Sequence, residues 1–278
     1  MTVDGLSLVG FMPPEVALTY LGSRCVPADP APQALQAEWQ QARARLGAVP
    51  PRAGRPEVRD IPKSHQDHLR AVERSPRFAG AVGTARRWSF RLVEIAPLLT
   101  FQPDIANAGH QGLAAVADLA AQLRLCLPPT VEAADCLASV QAQSLLVYGD
   151  NPNLTILQAG ASGPDPRTGA RHGGILYGLG HPLVLVAQLG DRYYLRNGCH
   201  RLYQLARLGV AAAPCLVVEA TDPAELGVPN GLDLSLLGSD HPPTCGHYAD
   251  GRAHPVRLRG LRKVIHVSWS ESIIYDPD

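Results

Sequence analysis

Five consecutive residues, Asn197-Gly198-Cys199-His200-Arg201, combine the side-chain types that phosphate chemistry uses. Glycine permits a sharp turn, and a helical pattern follows it, with Leu202, Leu205, Ala206 and Leu208 apolar. The first N–H groups of a helix have no partner inside it, and the helix dipole makes that end electropositive. Together they form an anion site. His200 would add a switchable donor, and Arg201 a permanent cation able to hold a phosphate bidentately. The predicted ligand is a phosphate, that of a nucleotide. Cys199 shares the helix start, an environment that lowers a thiol pKa. It is a candidate nucleophile for phosphoryl or sulfur chemistry; the alternative is a small, half-buried packing residue.

Several elements must position this turn. Pro182 to Leu189 reads as an apolar strand, Gly190-Asp191 as a turn, and Arg192 to Leu195 as the returning strand. The helix from Cys199 or His200 to Leu208 ends at Gly209, where a C-terminal glycine belongs. Pro214 to Glu219 is the next strand, and Thr221-Asp222-Pro223 starts a short helix. Upstream, Ser89 to Ile95 alternates as a strand, with Phe90, Leu92 and Glu94 on one face. Glu94 could accept from Arg201 or serve as a base. Gly109 to Leu125 carries an apolar helical stripe and stops at Pro128-Pro129; Val131 to Val140 reads as a weaker helix.

The segment LGDRYYLRNGCHRLYQLARLGVAAAPCLVVEATDPAEL resembles the signature of the ParB/sulfiredoxin superfamily. That pattern runs strand, glycine, any residue, His or Arg, Arg, helix, glycine, then a strand opening with proline. Gly198-Cys199-His200-Arg201 is similar to the sulfiredoxin form, in which the cysteine is the catalytic thiol and the backbone, His and Arg hold ATP phosphates. In the ParB form another residue replaces the cysteine and the motif binds CTP or a related nucleotide. Leu92 to Ile105 resembles the ParB-like opening strand, and Leu113 to Leu123 the helix after it.

The resemblance implies an α/β (α+β) fold. A mixed sheet would take strands at 89–95, 183–188, 192–195 and 214–219, with helices packed against it. It implies nucleotide binding through Asn197, Gly198, His200 and Arg201, with Cys199 and Glu94 as catalytic candidates. A nucleoside triphosphate with Mg²⁺ is the implied cofactor. Whether the nucleotide is hydrolysed or its phosphate transferred stays open. On this reading residues 1–88 form a partly helical N-terminal extension, and 89–226 the core with an insertion near 130–180. Residues 227–278 pack on that core. The glycine-rich Ala159 to Gly180, read as a loop, could close over the phosphate with Arg171 beside Arg167 and His172.

Composition narrows the alternatives. Lys and Arg total 25, as do Asp and Glu, so the net charge is zero and bulk attraction to nucleic acid is absent. A local basic patch such as Arg86-Arg87-Trp88 can survive inside a neutral whole. Six cysteines without repeated spacing predict reduced thiols and a cytoplasmic protein. No apolar run reaches the roughly 18 residues of a membrane span. His241, Cys245, His247 and His254 could ligate zinc, though their spacing matches no closed zinc motif. A metal-dependent nuclease of ParB-like type would draw on Asp104, Asp150 and Asp165. A further reading is a non-enzymatic interaction module on a degenerate core, using the proline-rich first 60 residues, Trp39 and Trp88 to meet a protein partner.

Overall fold

The computed structural model describes residues 2–26, 31–47, 55–106, 116, 118–130, 136–141, 143–149, 154–165, 167–169, 171–180, 182–226, 232–260 and 262–270, without the side chains of 162, 171, 172 and 234. The fold is α+β. The chain divides into two units. Unit 1 takes Met1–Thr130 and Pro182–Gly260, and unit 2 takes Val131–His181 and Leu261–Asp278. The residues 227–278, expected to pack as one piece, are thus shared between the units.

Unit 1 opens with β1 (Thr2–Ser7), a 3-10 turn (Val9–Phe11), α1 (Pro14–Arg24) and α2 (Pro32–Gly47). Sequence patterning shows only the last of these. In β1 just Gly5 and Ser7 are buried, so no apolar alternation announces the strand. The helix α1 begins with proline at its first position, where the missing N–H costs nothing. Gly10 lets α2 approach closely, since a Cβ there would lie 2.5 Å from the Ala42 carbonyl oxygen.

The chain continues through β2 (Val58–Asp60), a 3-10 turn (Lys63–His65), α3 (Gln66–Glu73), α4 (Phe78–Val82), β3 (Trp88–Glu94), β4 (Leu99–Thr100) and β5 (Asp104–Ala106). It reaches α5 (Leu119–Cys126), whose N-cap Asp118 accepts from the Ala121 amide at 2.7 Å. Most of the residues before Asp118 in the expected Gly109–Leu125 helix lie outside the described residues.

Unit 2 then supplies β6 (Leu137–Gln141), β7 (Ser144–Gly149), β8 (Leu154–Pro164) and β9 (Arg171–Leu179). Two expectations are corrected here. Leu137–Val140, the end of the helix expected over Val131–Val140, lies in β6 and pairs antiparallel with β7. The expected glycine-rich loop is a long hairpin: β8 and β9 pair from Leu154↔Leu179 to Pro164↔Arg171. Its turn is fixed by Asp165, whose Oδ1 accepts from the Arg167 and Thr168 amides, with Gly169 at φ 68°. Main-chain ladder bonds define this ribbon, and glycines without side chains hide it from periodicity.

Unit 1 resumes with β10 (Leu185–Leu189), β11 (Arg192–Asn197), α6 (Cys199–Arg207), β12 (Ala212–Ala220), a 3-10 turn (Pro223–Leu226), α7 (Leu234–Leu237), α8 (Gly246–Ala249) and β13 (His254–Arg259). The last strand, β14 (Lys263–Ser268), belongs to unit 2 and pairs with β7. Unit 1 contains a six-stranded sheet of order β2-β3-β12-β10-β11-β4 and a three-stranded sheet β13-β1-β5. The larger sheet is mixed: β10 is parallel to β12 and β11 to β4, the other pairs antiparallel. The four strands expected to share a sheet do so. The continuous hydrophobic core, including Val93, Leu98, Val184, Leu202, Leu205 and Leu216, lies wholly within unit 1.

Candidate site at the start of helix α6

The hairpin β10–β11 turns at Gly190 (φ 62°) and delivers the chain to Asn197, whose Nδ2 donates to the Leu183 carbonyl at 2.9 Å. Gly198 follows at φ 102°, ψ 15°. No side chain larger than hydrogen fits this backbone comfortably. Space repeats the demand, because a Cβ here would meet Val184 Cγ2 at 2.7 Å. The Gly198 carbonyl accepts the first helical bond from the Leu202 amide at 3.0 Å. No side chain caps the helix start. At the other end Gly209 (φ 82°) donates to the Ala206 carbonyl, and the chain turns into β12 alongside β10. Asn197 and Gly198 therefore shape the turn.

The side chains of the motif are spent differently from expectation. Arg201 turns inward. Its Nη1 donates to the Leu125 carbonyl at 3.1 Å and also to the Pro182 carbonyl. Among the described residues no carboxylate pairs with it. Burial lowers its pKa, against the opposing influence of the nearby Cys126 and Cys215 thiols. Those thiols stay neutral: burial pushes Cys126 up to about 12 and Cys215 well above its ordinary range. The result is a half-buried cation on the first turn of α6 with no anion beside it among the described residues.

His200 is half-buried and its Nε2 accepts from the Ala106 amide at 3.3 Å, tying α6 to the edge of β5. An accepting Nε2 is unprotonated, so the imidazole bonded this way is not a cation. Cys199 is buried under the turn, its Sγ 3.6 Å from Thr100 Oγ1. The neighbouring Cys199, then burial, push the Cys245 thiol well up. A thiol packed among Thr100 and Cys245 is not offered to solvent, which fits the packing alternative for Cys199.

Glu94 does not join this turn. It stands on β3 opposite Ala212, with β12 and β10 between it and β11. Its Oε2 accepts from the Glu57 amide at 3.1 Å, so it neither meets Arg201 nor serves as a base at the turn. Arg171 begins β9 in unit 2, and its side chain lies outside the described residues. The aspartates that a nuclease centre would draw on have these places. Asp104 is buried against Arg24 and Tyr20, Asp165 holds the hairpin turn of unit 2, and Asp150 lies outside the described residues.

The histidine and cysteine group is likewise dispersed. His247 Nδ1 accepts from the Thr244 amide at 2.9 Å, His254 Nε2 meets Glu38 at 2.9 Å, and Cys245 joins Cys199. Among the described residues no three His, Cys, Asp or Glu side chains are grouped to hold a metal.

Sequence reasoning missed one buried network. Tyr20 Oη donates to Asp104 Oδ2 at 2.6 Å, and Arg24 donates to both oxygens of the same carboxylate. Burial and then the Asp104 charge raise the Tyr20 pKa. Tyr20 and Arg24 sit four apart on α1, the only sequence signal for this contact. No family model, no curated protein and no solved structure matches the chain.

Proposed function

We propose that the start of α6 binds the phosphate of a small phosphorylated ligand, a nucleotide of the kind held by ParB/sulfiredoxin-like proteins. One observation carries the reading: the half-buried Arg201 guanidinium, on the first turn of a helix, has no carboxylate partner among the described residues. A half-buried cation that donates only to carbonyls among the described residues leaves its charge partly uncompensated, and a nearby anion relieves that cost. The electropositive end of α6 adds to the same field. Backbone amides of the Gly198 turn are the proposed phosphate donors. Arg201 acts on the phosphate through charge and by anchoring the turn, and His200 by fixing α6 to β5. The described residues offer no metal ligand set, so Mg²⁺ enters only as the counterion carried by the nucleotide.

Calorimetry with ATP, CTP, GTP and ADP, each with and without Mg²⁺, tests this. We expect saturable binding of at least one nucleotide, weakened in the Arg201→Met variant. Absence of heat for all four at millimolar concentration refutes the proposal. Phosphate release assayed on the same samples reports whether hydrolysis follows binding.

A further inference from the structure

The zero net charge of the chain hides a local excess. Between Lys63 and Arg91 there are seven Lys and Arg residues against Asp67 and Glu73. Some of these cations are balanced on the surface: Arg70 pairs with Asp67, Arg87 with Glu219 and Arg91 with Asp60. Arg74, Arg77 and Arg86 have no ion pair among the described residues. Arg74 and Arg86 are exposed, and so is Lys63.

Arg77 and Arg86 flank a built aromatic feature along the chain. Arg77 immediately precedes Phe78, the first residue of α4, and Arg86-Arg87 immediately precede Trp88, the first residue of β3. The Phe78 and Trp88 rings meet edge to face at 4.8 Å, and Phe90 stands 5.6 Å from Trp88 on the same face of β3. Phe78 is buried, while Trp88 keeps 39% of its surface in solvent. Trp88 is thus held by two rings and still presents apolar aromatic area. An exposed, fixed indole with unpaired arginines next to its ring cluster along the chain matches two requirements at once. Bases stack on aromatic side chains whatever their identity, and arginines neutralise the phosphates between them.

We infer that this surface, Trp88 with Arg74, Arg77 and Arg86, binds single-stranded nucleic acid without sequence preference. A single strand fits better than a duplex, because stacking on Trp88 requires an unstacked base. The two helices of the patch, α3 and α4, span only Gln66–Glu73 and Phe78–Val82. The inference is independent of the phosphate site at α6 and uses none of its residues.

The test is fluorescence anisotropy of a labelled 20-nucleotide mixed-sequence strand against the whole chain, with the matching duplex and a poly-glutamate peptide as competitors. We expect binding to the single strand that falls about 20-fold between 50 and 200 mM salt, as about three neutralised phosphates require. Trp88→Ala should weaken it roughly tenfold or more. Arg86→Glu changes an exposed side chain that makes no ion pair, so it should weaken binding and flatten the salt dependence while thermal unfolding stays unchanged. No binding at 50 mM salt overturns the inference. Equal competition by duplex or by poly-glutamate also overturns it, as does unchanged affinity in a folded Arg86→Glu variant.

Discussion

Gly198 concentrates what one residue contributes to this molecule. Its left-handed backbone turns β11 into α6, and the space where a side chain would stand is filled by Val184. Gly198→Ala should therefore lower stability by about 1–3 kcal/mol, through backbone strain and crowding together. The two contributions can be separated. The Val184 contact is with the end of a side chain, so trimming that side chain removes the crowding and leaves the strain. In chemical denaturation the double variant Gly198→Ala, Val184→Ala should lose less than the sum of the two single losses. Strict additivity would mean that the strain acts alone. Arg201 shows the limit of reading a residue from its type. The sequence places a cation on the first turn of a helix, but only the fold shows it facing the Leu125 and Pro182 carbonyls. Those partners lie more than fifteen residues away in the chain, and no local pattern announces them.

At the scale of elements, α8 is a four-residue helix that carries one buried imidazole. His247 is buried, its Nδ1 accepts from the Thr244 amide, and its ring meets Phe11 edge to face at 4.9 Å. Burial first, then the Arg252 charge, lowers its pKa from 6.5 to about 4. Above pH 6.5 the ring is neutral whether the chain is folded or not, and its packing contributes fully. Between 6.5 and 4 only the unfolded chain takes up the proton, so stability falls as the pH drops. The loss across that window is on the order of 3 kcal/mol. His247→Asn keeps an acceptor near Thr244 but does not titrate. Its unfolding free energy should change less than that of the unsubstituted chain between pH 7 and 4; parallel curves would assign the acid sensitivity elsewhere. Elements were legible in the sequence where turn glycines and periodicity coincide, as in the run β10, β11, α6 and β12. They were hidden where main-chain pairing alone defines them. The glycine-rich β8–β9 hairpin is one case, and β1 the other, since it pairs with β13 from the far end of the chain.

At the scale of the whole molecule, hydrophobic burial is distributed unequally between the two units. The continuous core is confined to unit 1, while unit 2 leaves Leu137, Val140, Leu176 and Val264 more than half exposed. A unit with its own core can fold without the other. The chain leaves unit 1 after Thr130 and returns at Pro182. Near these points in the chain, the Val184 amide donates to the Cys126 carbonyl at 2.7 Å. A short glycine-serine linker can therefore replace Val131–His181 with little closure entropy. We expect a chain carrying that replacement and ending at Gly260 to unfold in one cooperative transition, with the far-ultraviolet signature of a mixed helix and strand protein. It keeps the whole Gly198 turn, Arg201 and its two carbonyl partners, so the nucleotide affinity proposed for this turn should match that of the full chain. A cooperative fold with lost affinity would mean that unit 2, Arg171 included, contributes to the site. Loss of the cooperative transition would mean that unit 1 needs unit 2 to fold.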